Sequence, residues 1–165
     1  MLNMNYELNR YRLNKLVIEI LKHELTSADV KSKYGEYRKL KAKMIQGLTE
    51  SNQTEELVEF MIRCMMFEKK SIERFEDNDN FKERIKEFIG DYIYDCCNLP
   101  SDIDKIKDEE IRKSYLDRMG DIRIEVLSVL KEMEGKNHTE GVYVVDIPNI
   151  IKRLEEMCKA GGLNV

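Results

Sequence analysis

Apolar positions recur along this chain at helical rather than alternating spacing. Leu13, Leu16, Val17, Ile20, Leu21 and Leu25 share one face of a first helix, predicted over about 5–25. Thr26 and Ser27 follow and can cap the next helix, because a hydroxyl can accept from a free amide of the first turn. That second helix, predicted over 28–48, carries Val30, Tyr34, Tyr37, Met44, Ile45 and Leu48 on one stripe. Lys41 falls inside the stripe, close to the angular position of Val30. A lysine there must snorkel, pair, or mark an incompletely covered face. After the polar stretch "TESNQTEE" comes "LVEFMIRCMMF", residues 57–67, in which nine of eleven residues are apolar. A helix apolar almost all round is predicted to be the central one. Its polar continuation narrows the stripe to Ile72 and Phe75.

"EDNDN" reads as a loop, with Asp79 or Asn80 as cap of a fourth helix bearing Phe81, Ile85, Phe88, Ile89, Tyr92 and Ile93. This helix is predicted to stop at "DCCNLP", where Asn98 suits a left-handed terminus and Pro100 opposes continuation. Ser101 and Asp104 are spaced like a capping box for a restart. A long fifth helix, about 108–134, keeps Ile111, Tyr115, Met119, Ile122, Val126, Leu130 and Met133 on one face, with Gly120 as a point of kinking or splitting. "VYVVD", 142–146, carries the one strand signal. Pro148 fits the first turn of a last helix with Asp146 as cap, and Gly161 and Gly162 end it. The predicted fold is all-α: a single-domain bundle of five or six helices with one short extended segment near 142–146.

Composition agrees with that pattern. The 165 residues are 42% hydrophobic and 36% charged, with two prolines and eight glycines, too few turn formers for a sandwich or barrel. No apolar run approaches the roughly 18 residues of a membrane span. The first fifteen residues lack a signal peptide's apolar region. A cytoplasmic protein, without membrane contact, is the expectation, with Cys64, Cys96, Cys97 and Cys158 as reduced thiols.

Charge is unevenly distributed. The net value of −4 divides into ten basic against six acidic residues over 1–50, and eighteen against twenty-six over 51–165. The most basic stretch is "KSKYGEYRKLKAK", residues 31–43. Lys31, Arg38, Lys39 and Lys43 are predicted on the exposed side of the second helix, with Lys33 at its border and Tyr34 and Tyr37 close by. Bases interleaved with aromatics can hold a phosphate backbone, and equally an acidic partner.

Catalytic and metal-binding patterns are not legible. Cys96 and Cys97, adjacent on a helix, point about 100° apart and do not converge on one metal. His23 shares a face with Glu19, and His138 sits in the loop "GKNHTEG"; neither has a second ligand or triad partner in view. No phosphate-binding glycine loop and no nucleophile elbow occurs. No catalytic residue, cofactor or metal is assigned. Residues 124–157, "IEVLSVLKEMEGKNHTEGVYVVDIPNIIKRLEEM", run helix, short strand, helix. That order is similar to the opening of a winged-helix module, where the strand precedes the helix supporting recognition; "CKAGGLNV" follows, with neither recognition helix nor wing legible in it. The expected function is a non-catalytic helical interaction protein or assembly subunit, with a protein partner or self-association. Nucleic-acid contact through the basic face of 31–43 is the alternative.

Overall fold

The computed structural model describes residues 4–135 and 147–161. Six helices pack together there, and no strand occurs among the described residues: α1 (Met4–Lys22), α2 (Ser27–Glu50), α3 (Thr54–Phe75), α4 (Lys82–Ile103), α5 (Glu109–Gly135) and α6 (Ile147–Ala160). The extended segment predicted at 142–146 lies outside the described residues. None of these helices is long and apolar enough to cross a membrane.

Local chemistry explains most boundaries. Thr26 caps α2: its hydroxyl accepts from Asp29 N at 3.1 Å, while the Asp29 carboxylate accepts from Thr26 N at 3.2 Å. This reciprocal box satisfies two first-turn donors. Asn78, rather than Asp79 or Asn80, caps the single 3-10 turn Asp79–Phe81 that leads into α4. Asp108 begins α5, accepting from Ile111 N at 3.0 Å. Gly120 does not divide α5, which is continuous to Gly135.

One predicted boundary is wrong. α4 does not stop at Asn98 but runs through Pro100 to Ile103, and Ser101 caps nothing. Proline inside a helix costs about 3 kcal/mol. Leu99, Ile103 and Ile106 beyond the helix are all buried, and each such burial is worth roughly 1.5–3 kcal/mol. Continuing the helix therefore outweighs the penalty. Asn98 meanwhile donates its side-chain amide back to Tyr94 O at 2.8 Å, a bond within the helix rather than a terminus.

α3 is central, as its nearly all-round apolarity implies. It packs most extensively on α4 and also contacts α1 and α2. Its side chains reach α5 as well: Glu59 meets Tyr115 and Arg118, and Lys69 meets Glu125. The guanidinium of Arg74, near the end of α3, donates to Leu21 O and to His23 O, occupying carbonyls left open where α1 ends. At the other end, Tyr6 of α1 lies within electrostatic reach of Glu56 near the start of α3. α1 and α3 thus run side by side in the same direction, with α2 returning between them. An aromatic cluster joins the layers: Tyr34 stacks on Tyr37 at 5.2 Å and meets Phe88 edge-on at 4.7 Å.

Candidate functional site

The basic stretch is dispersed by the fold. Lys33 turns toward α1, its Nζ 2.8 Å from Glu19 Oε2. Arg38 turns the other way, to α4: Nε and Nη2 donate to Asp91 Oδ2 and Oδ1 at 2.7 and 3.0 Å. Its guanidinium also lies 5.1 Å over the Tyr34 ring, and Tyr34 OH donates to the same Asp91 Oδ2. Lys31, Lys39 and Lys43 are exposed. The five residues therefore do not form one face. Lys39 and Lys43, one turn apart, are the pair left together outside.

Lys41 enters the core. Its ammonium donates to Asp95 Oδ2 at 2.5 Å and to Glu68 Oε2 at 3.0 Å. Tyr37 OH donates to that same Glu68 oxygen at 3.2 Å. α2, α3 and α4 each contribute one charged residue. Glu68 is 0% exposed, and its Oε1 accepts no hydrogen bond. Burial raises the Glu68 carboxyl well above the usual range, contact with Asp95 adds to the rise, and Lys41 opposes it. A proton on Oε1 reconciles these observations. It can be donated to Asp95, and it leaves the ammonium facing a single carboxylate. Burial works against the charge on Lys41, but its acidic surroundings outweigh it and hold the ammonium above its ordinary value.

Tyr37 and Cys64 separate this cluster from a cleft of about 620 Å³ between α1 and α3, floored by α2. The rim mixes signs: Glu7 and Arg10 from α1, Glu55, Glu56, Glu59 and Arg63 from α3. Tyr115 closes one side, its OH 2.6 Å from Glu59 Oε1. The floor residues Tyr37, Met44, Cys64 and Phe67 are themselves buried.

Of the cysteines, Cys64, Cys96 and Cys158 are buried and Cys97 is exposed. Burial pushes the Cys64 and Cys96 thiols up to about 12, and raises Cys97 against the opposing charge of Arg153. None of these three is poised as a thiolate. His23 is exposed, and His138 lies outside the described residues.

The outer side of α1 is the larger surprise. Leu8, Tyr11 and Ile18 are 45%, 67% and 49% exposed. With exposed Lys15 and Lys22 they follow one line, in steps of three and four residues: Leu8, Tyr11, Lys15, Ile18, Lys22. That is the spacing of a coiled-coil seam, about 21 Å long at 1.5 Å per residue. The opposite side of the helix buries Leu13, Leu16 and Ile20.

No family model, curated protein or solved structure matches this chain.

Composition and the inner stripe obscure this seam in the sequence. The inner stripe accounts for α1 as an ordinary amphipathic helix, and Leu8, Tyr11 and Ile18 read as scattered. The signal that finds them is the second three-four repeat, offset from the first.

Proposed function

We propose that this chain is a non-catalytic helical interaction protein, and that it receives a helix of a protein partner along the outer seam of α1. The carrying observation is the alignment of Leu8, Tyr11 and Ile18 in a single exposed line. Lone exposed apolar residues are ordinary on a protein surface, whereas a line at seam spacing has the geometry that a second helix covers. The buried Lys41, Glu68 and Asp95 cluster supports the same reading from another side. It spends its polar groups on one another and ties α2, α3 and α4 together.

The test is site-specific photocrosslinking in the native cell, with the photoreactive residue at position 11 or 18 and, as control, at Glu83 on α4. One partner captured at both seam positions, through a helical segment, and not at the control, is the expected result. No capture at 11 and 18, or the same species at Glu83, would refute the reading.

A second reading, nucleic-acid contact by residues 31–43, retains Lys39 and Lys43, exposed one turn apart on α2. It requires salt-dependent binding to DNA or RNA that is lost in the K39E/K43E variant.

A further inference from the structure

We infer that the helix received by α1 is acidic, with carboxylates set to face Lys15 and Lys22 and apolar residues set to face Leu8, Tyr11 and Ile18; this rests on the docking reading above.

The seam itself supplies the reasons. Two of its five positions are lysine, and a lysine at a seam position specifies register and oligomer state at some cost in stability. α1 carries four basic residues against two acidic ones. Of those acids, Glu19 has its carboxylate 2.8 Å from Lys33, and Glu7 lies at the far end from Lys15 and Lys22. The seam is thus apolar at Leu8 and Tyr11 and alternates positive and apolar from Lys15 through Ile18 to Lys22. An opposing helix with Glu or Asp at the matching positions satisfies both ammonium groups as the seam is covered.

Other occupants fit less well. A second copy paired in register in parallel, or antiparallel about Lys15, sets Lys15 against Lys15, a like-charge contact. A bilayer surface asks for apolar and basic residues in separate sectors. Here Lys15 stands in line between Tyr11 and Ile18, so that line cannot sink evenly. A phosphate backbone gives Leu8 and Ile18 nothing to cover them.

Two synthetic helical peptides of about seventeen residues make the test. Both carry Leu at the positions meeting Leu8, Tyr11 and Ile18. One has Glu opposite Lys15 and Lys22; the other has Lys there. Fluorescence anisotropy with the full chain is expected to show the Glu peptide binding about tenfold tighter, with the preference shrinking at high salt. The K15E/K22E variant is expected to invert the preference. Both lysines are exposed, and far-UV circular dichroism confirms that the variant is folded.

Equal affinity for the two peptides, or a preference for Lys, overturns the acidic partner. So does the absence of binding to either peptide while position 11 still crosslinks, an outcome that leaves docking itself intact. Binding to single-stranded DNA or phosphatidylserine vesicles that K15E/K22E abolishes, with no peptide selectivity, overturns it in favour of a phosphate surface. Loss of both crosslinking and peptide binding removes the docking reading along with it.

Discussion

Lys41 Nζ of α2 lies 2.5 Å from Asp95 Oδ2 of α4, in the interior of the bundle. The two residues are 54 positions apart in sequence, and Glu68 of α3 completes the group. Each charge in this cluster depends on the others, because taking an isolated ion out of water costs far more than any one contact returns.

Removing Lys41 is therefore expected to be severe. Lys41→Met keeps the apolar stem but leaves Asp95 and Glu68 together without a cation. A loss of about 3–5 kcal/mol is expected in urea unfolding. Combining it with Asp95→Asn should recover a measurable part of that loss, and a double-mutant cycle would read the coupling directly. Additive effects would mean that the pair does not interact as the distance implies.

Glu68→Gln tests where the proton sits. Glu68 is raised when folded and ordinary when unfolded. Between those two values the native chain holds one more proton than the unfolded chain. Stability due to this group is therefore fully present below the unfolded value, about pH 4.3, and declines as pH rises toward the folded one, by at most about 1.4 kcal/mol per pH unit. Glutamine reproduces the protonated form: its oxygen accepts from Lys41 and Tyr37, and its amide donates toward Asp95. The stability of E68Q relative to the parent is expected to increase from pH 5 to pH 8 in denaturant melts. A difference that stays constant over that range would place the proton elsewhere.

Arg38 braces α2 against α4. Arg38→Ala removes two hydrogen bonds to Asp91 and the contact over the Tyr34 ring. A half-exposed bidentate pair of this kind is expected to be worth about 1–2 kcal/mol. Arg38→Lys should recover little of it, since a single ammonium cannot reproduce the planar fork. Thermal unfolding of the three proteins gives the comparison.

Thiol labelling reports on the end of α4. One cysteine per native chain, Cys97, is expected to react with a thiol reagent at pH 7.5, more slowly than free cysteine because its thiol is raised. All four should react in denaturant. Rapid labelling of Cys96 would show that the last turns of α4, those around Pro100, open readily in solution.

The "DCCNLP" segment shows where local signals mislead. Asn98 and Pro100 both favour a helix end, and the rule is sound for an isolated peptide. It fails here because Leu99 and Ile103 find a covered place only if the helix continues. Cys96 and Cys97 divide as neighbours on a helix should, one inward and one outward.

Sequence pattern alone determined a bundle of five or six helices, the central place of 57–67 and a cap at Thr26 or Ser27, because these depend on spacing and on groups within a turn of one another. It also marked Lys41 as an anomaly inside an apolar stripe. Tertiary structure alone decided what answers that anomaly, since Glu68 and Asp95 are 27 and 54 residues away and carry no signal of their own as acids among many. It likewise decided the fate of the basic stretch. One helix turns its residues in every direction, and only the placement of α1 and α4 tells which acid Lys33 and Arg38 each meet and which side of α1 is left exposed.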